Sequence, residues 1–92
     1  MKSIIKASGE DFIQEFDSLE ELYSFEKYEE IKELMITESK FKKIPMNLPS
    51  MLIKFDCSYN RITKIENLPS TLLEFNCYNN QITKIEIGRA HV

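Results

Sequence analysis

The sequence predicts an α/β solenoid. Its N-terminal helical cap, with or without a β-α-β start, is followed by about three repeats. Their short strands form a parallel sheet on the concave face, and the convex side is extended or turn-like. Three observations carry this expectation. Residues 48–67 and 68–87 align without a gap at a period of 20, with 12 of 20 positions identical. A more diverged copy lies upstream, one residue longer, with Ile31, Leu34, Ile36, Ser39, Phe41 and Ile44 standing 21 residues before Leu52, Phe55, Cys57, Asn60, Ile62 and Ile65. The first 30 residues lack the repeat altogether. The chain therefore divides into a cap (1–30), repeats (31–47, 48–67 and 68–86) and a tail (87–92).

In the head, Phe12, Phe16, Leu19, Leu22 or Tyr23, and Phe25 follow an imperfect helical spacing, which predicts one or two helices between residues 9 and 28. Ser18 with Glu21 forms a candidate capping box, and Ser8 with Asp11 a weaker one. The segment "KSIIKA" before them reads as a candidate strand, which would give a right-handed crossover onto the first repeat strand near Glu33. This head is placed to cover the open end of the repeat core.

Within each repeat the side chains alternate. Phe55 and Cys57 are interleaved with Lys54, Asp56 and Ser58, the period-two signature of a strand with one buried face. Equivalent positions in stacked copies form columns, so Phe55 with Phe75 and Cys57 with Cys77 are structural, inward-facing residues. Asn60 and Asn80 follow the strand where the chain turns inward and leaves backbone groups without a ladder partner. A primary amide supplies both donors and an acceptor, so these two residues are expected to bridge successive copies. From Thr63 to Leu72 a return leg of about ten residues contains Pro69, which favours extended geometry over a helix.

The common pattern L-x-x-L-x-L-x-x-N-x-L-x-x-I, with Phe, Cys or Ile at apolar slots, resembles the leucine-rich repeat over residues 31–86. The 20-residue period with "LPSxL" is similar to the short subclass of bacterial effectors, also seen in giant viruses and protists. Cys at the last strand slot and Ser39 in place of Asn depart from that pattern.

Composition narrows the function. Hydrophobic residues make up 42% and charged residues 29%, ordinary for a soluble globular protein. The net charge of −3 is uneven, with nine acids against three Lys in residues 1–30 and six acids against eight Lys or Arg in residues 31–86. Neither half suggests a nucleic-acid surface. No run reaches the roughly 20 apolar residues of a membrane span. No signal-peptide core is evident, so a cytoplasmic location is expected, with effector-type secretion left open. Two Gly exclude a phosphate-cradling loop, and the single His leaves a Cys or Ser nucleophile without its usual base. Cys57 and Cys77 have no accompanying metal ligands and are read as buried thiols in a reducing compartment. The Lys43, Lys64 and Lys84 column is interleaved with Glu66 and Glu86 and reads as a solvated face. No catalytic residue, cofactor or metal is expected.

What remains is the outward face of the repeat strands. Glu33, Met35 and Thr37, then Lys54, Asp56 and Ser58, then Glu74, Asn76 and Tyr78 point outward, and Tyr59, Arg61, Asn79 and Gln81 continue onto the rim. These positions differ between copies, whereas the inward ones repeat. The resemblance implies that this concave face binds a protein partner, with Tyr59, Tyr78 and Arg61 the strongest candidates because such residues are enriched at binding hot spots. The expected function is a non-catalytic protein-interaction scaffold, the N-terminal part of a longer protein. The alternative is the substrate-recognition domain of a larger enzyme, such as a ubiquitin-ligase effector. No nucleic-acid or membrane partner is expected.

After Glu86 the second copy fails, and "IGRAHV" stands where the first continues "NLPS". That string resembles the translation of a sequencing-adapter oligonucleotide, so residues 87–92 are expected to be a non-native tail. The exposed end of the repeat core, formed by Leu72, Phe75, Cys77 and Ile82, is then expected to leave the chain marginally stable or self-associating.

Overall fold

The computed structural model describes residues 4–85; Glu86 and the expected tail, 87–92, lie outside the described residues. The chain begins as a hairpin. Strand β1 (Ile4–Ser8) alternates Ile5 and Ala7 inward with Ile4 and Lys6 outward, and pairs antiparallel with β2 (Ile13–Phe16). The turn between them closes through the Gly9 N–H, which donates to the Phe12 carbonyl at 3.0 Å. A Cβ at Gly9 would stand 2.5 Å from the Phe12 ring and 2.8 Å from the Glu30 carbonyl oxygen. Gly9→Ala should therefore cost about 1–3 kcal/mol in chemical denaturation, the usual price of overpacking.

Helix α1 (Leu19–Tyr23) is only five residues long, and a single 3₁₀ turn spans Tyr28–Glu30. Ser18 caps α1 by accepting from the Glu21 N–H at 3.2 Å, while the Glu21 carboxylate reaches back to the Asp17 N–H at 3.0 Å. Strand β3 (Glu33–Thr37) then pairs antiparallel with β1, so the expected β-α-β crossover is absent. From β3 onward the sheet is parallel. Strand β4 (Lys54–Asp56) joins β3, and β6 (Glu74–Asn76) joins β4, with Leu34, Phe55 and Phe75 in register. Strands β5 (Lys64–Ile65) and β7 (Lys84–Ile85), which follow β4 and β6 in the chain, form a separate parallel pair.

These elements correct the expected fold class. The chain is not a solenoid with a helical cap, nor a repeat architecture with a purely parallel sheet. It is a globule built on one mixed five-stranded sheet of order β2-β1-β3-β4-β6, with almost no helix. Its radius of gyration is 12.6 Å, close to the roughly 12 Å of a compact globular chain this long. The physical reason lies in the head. Its aromatic residues do not share one helix face; they come from three places. Phe12 stands in the hairpin turn, Phe16 in β2 and Phe25 after α1, and both Phe12 and Phe16 meet the Phe25 ring edge-on at 5.3 Å. Convergence of separate segments on one aromatic cluster imitated a helical period.

The core lies on one side of the sheet. Ile5, Ala7, Phe16, Leu34, Ile36, Phe55 and Ile65 enter it from the strands, Leu22 from α1, and Ile31, Ile44, Leu48, Leu52, Cys57 and Ile62 from the connecting segments. The head also ties down the segment between β3 and β4. The Tyr28 hydroxyl donates to the Asn47 carbonyl, and one Glu29 carboxylate oxygen accepts from both the N–H and the hydroxyl of Ser50 at 3.0 and 2.9 Å.

Candidate functional site

Opposite the core, the sheet presents an open face. Its strand pairs bring together Lys6, Glu15 and Met35 in one row, extended by Asp56 and Asn76. A second row runs through Ile13, Ser8, Glu33, Lys54 and Glu74. A cleft of about 320 Å³ follows these rows, lined by Lys6, Ser8, Ile13, Glu33, Met35, Lys54, Asp56 and Asn76, with Ala7 and Leu34 also contributing. Apolar side chains sit within the polar frame, with Ile13 71% and Met35 37% exposed.

The structure distributes the residues expected to bind a partner over three places. Glu33, Met35, Lys54, Asp56 and Asn76 line the cleft, and Glu74 stands beside it. Lys54 and Glu74 are directly opposite in the ladder and form an ion pair at 3.8 Å; exposed pairs of this kind contribute at most about 1 kcal/mol. Tyr59, Arg61, Tyr78, Asn79 and Gln81 are exposed in the turns that follow β4 and β6. Thr37 and Ser58, expected to face outward, are buried. β4 ends at Asp56, so alternation does not extend to Ser58, whose hydroxyl instead accepts from the Tyr78 N–H at 3.1 Å. Thr37 is the last residue of β3, where the chain turns through Glu38 at a φ of 54°. Lys6, Ser8 and Ile13 are not among the expected residues: "KSIIKA" reads as a candidate strand, but one joined to the repeats by a crossover, and residues 9–28 read as helical, so neither β2 nor the antiparallel place of β1 beside β3 is anticipated. The alternation of Ile5 and Ala7 with Lys6 and Ser8 was the available signal for β1; β2 left none as clear.

The turn after each repeat strand has a shared backbone geometry. Glu38, Tyr59 and Asn79, equivalent positions in the three copies, adopt φ values of 54°, 60° and 57°. Asn tolerates this left-handed conformation, whereas an aromatic side chain does not. Tyr59 is 57% exposed, so Tyr59→Asn sacrifices little packing and is expected to raise the unfolding free energy by about 0.5–1 kcal/mol. A Tyr at that position is a cost to stability tolerated on the rim of the candidate surface.

Behind the turn, Asn60 and Asn80 join neighbouring copies. Asn60 Nδ2 donates to the carbonyls of Ile36, Cys57 and Ser58 at 2.7, 2.9 and 3.2 Å, and its Oδ1 accepts from the N–H groups of Ser39 and Phe41 at 3.0 and 3.3 Å. Asn80 Nδ2 donates to the carbonyls of Cys57, Cys77 and Tyr78, and its Oδ1 accepts from Ile62. Ser39 has no preceding copy to bridge, and its hydroxyl makes a local bond to the Thr37 carbonyl at 2.7 Å. The departure from Asn in the first copy thus has a structural reason.

The two thiols are unpaired and differ in burial. Cys57 is 1% exposed, whereas Cys77 is half-buried. Burial, with smaller contributions from Cys77 and Asp56, pushes the Cys57 thiol up to about 12; burial also raises Cys77. Alkylation of the native protein near pH 8 should label Cys77 well before Cys57, because the thiolate is the reactive form. Equal labelling rates would contradict this burial. Among the described residues no group of His, Cys, Asp and Glu could hold a metal ion, and no helix is long and apolar enough to cross a membrane. Phe55 and Phe75 stack at 5.9 Å between ring centroids, but Phe75 is only half-buried.

Compared with protein-family models, curated proteins and solved structures, the chain matches none of them.

Proposed function

We propose that the chain is a non-catalytic protein-interaction module that receives its partner on the open face of the five-stranded sheet. The observation that carries this reading is a face with exposed Met35 and Ile13 set among Lys6, Glu33, Lys54 and Asp56. Apolar contact area inside a charged frame suits recognition of another protein, with the frame fixing orientation. Regular strands hold these side chains in place, so little ordering cost falls on binding. A reducing, cytoplasmic setting belongs to the proposal, since Cys57 and Cys77 are both free thiols.

The test is a ligand selected from a displayed peptide library against the immobilised chain, with its contact surface mapped by amide chemical-shift changes. Ligands should perturb β1, β3 and β4, and Met35→Lys should weaken them at least about tenfold. Met46→Lys, on an exposed side chain away from the sheet, should leave them unchanged. Selected ligands that map consistently to another surface would overturn the assignment.

A further inference from the structure

We propose that the outer edge of β6 is a dimerisation edge, which pairs antiparallel with β6 of a second copy across a two-fold axis at Phe75. The argument begins with the internal ladder. The Lys32 carbonyl accepts from the Ile53 and Lys54 N–H groups at 2.8 and 3.1 Å. One repeat later, the Ile53 carbonyl accepts from Leu73 and Glu74 at the same 2.8 and 3.1 Å. The Leu73 carbonyl is the next member of this series, and no strand among the described residues pairs beyond β6. By the same register, the Phe75 N–H and carbonyl and the Cys77 N–H face the outer side of β6. The edge is also apolar: Leu73 is 81% and Tyr78 67% exposed, and Phe75, Cys77 and Ile82 are half-buried.

The second copy fits this edge better than an arbitrary strand because the edge is self-complementary. An isologous contact must be antiparallel, with each residue facing its symmetry mate's counterpart. Centred on Phe75, such pairing sets Phe75 opposite Phe75, Leu73 opposite Cys77 and Glu74 opposite Asn76. The two Phe75 N–H and carbonyl groups exchange hydrogen bonds, and each Cys77 N–H reaches a Leu73 carbonyl. No like charges stand directly opposite; Glu74 and its counterpart are diagonal neighbours about 7–8 Å apart, each already ion-paired with its own Lys54. The axis stands normal to the sheet, so both Phe75 rings stay on the core side and extend the Phe55–Phe75 stack. Two unpaired edges, otherwise a hazard for open-ended association, are closed by one contact. The proposal is independent of the partner reading of the open face, and it would place two such faces side by side.

Sedimentation equilibrium of the full chain should show the average mass rising from 10.9 kDa toward twice that value with concentration, and not beyond. Leu73→Lys should return it to the monomer with an unchanged circular dichroism spectrum. Leu73→Cys provides a second reading. Its Cα should face the second copy's Cys77 at about 5.5 Å, the spacing of a hydrogen-bonded antiparallel pair and within disulfide reach. Air oxidation should then give a covalent dimer that an added Cys77→Ser abolishes. A monomer at all concentrations, a mass that climbs past the dimer, or a crosslink that survives Cys77→Ser would each overturn the proposal.

Discussion

Asn60→Ala is expected to lower the unfolding free energy by about 3 kcal/mol, and the melting temperature of a domain this size by roughly 15 °C. The size follows from how many groups one side chain satisfies. Asn60 is 7% exposed and takes part in five hydrogen bonds, three through Nδ2 and two through Oδ1. Alanine removes all of them and takes the Asn60 partner from the Ile36 carbonyl and from the Ser39 and Phe41 N–H groups in a region that water reaches poorly, while the Cys57 carbonyl keeps its bond from Asn80. Each stranded buried group costs about 1–3 kcal/mol, whereas a bond exchanged for one to water costs less. Asn80 makes four bonds of the same kind but is only half-buried, so Asn80→Ala should cost about 1 kcal/mol. Asn60→Asp separates the two halves of the amide: it keeps an acceptor for Ser39 and Phe41 and loses all three donated bonds. Thermal melts of the three variants should therefore rank Asn80→Ala mildest. An Asn60→Ala melt equal to that of the parent would remove the bridging role.

The repeat was legible because its inward positions are fixed by packing. Phe55 and Phe75, spaced 20 apart, sit in register in neighbouring strands, and the Asn residues five positions later occupy equivalent turns. The head was not legible for two reasons. Its aromatic spacing arose from three segments converging on Phe25, and a pattern read along one helix cannot register that. The pairing of β1 with β3 is set by contacts between residues some 30 positions apart, on which local periodicity is silent. The candidate site inherited both outcomes. The repeat alone named Glu33, Met35, Lys54, Asp56 and Asn76, which line the cleft, while Lys6, Ser8 and Ile13 join it only through the antiparallel pairing of β1 with β2 and β3. Ser58 and Thr37 failed because outward alternation was carried past the end of β4 and onto the last residue of β3, where the chain turns; both are buried. The difference between the fold expected and the fold observed also has one source: two antiparallel strands added to three parallel ones turn an array into a single mixed sheet.

Phe55→Ala should be the most damaging single truncation in the chain, at about 3–5 kcal/mol. Phe55 is fully buried at the centre of the parallel part of the sheet, in register with Leu34 on one side and Phe75 on the other. Its removal deletes the largest fully buried side chain and leaves a cavity that two flanking strands prevent from collapsing. A chain of 92 residues has only about 5–14 kcal/mol of total stability to lose, so the variant is expected to unfold in little denaturant. Phe75→Ala is the informative companion. The ring is the same and stacks on Phe55 at 5.9 Å, but on the edge strand it stays half-buried, and its truncation should cost about half as much in dilute solution. With no Trp in the chain, urea unfolding is best followed by far-ultraviolet circular dichroism. If β6 pairs with a second copy, the cost of Phe75→Ala rises with protein concentration, because the dimer buries that ring and mass action couples its burial to stability. The cost of Phe55→Ala should not share that dependence, since Phe55 is already enclosed within one chain.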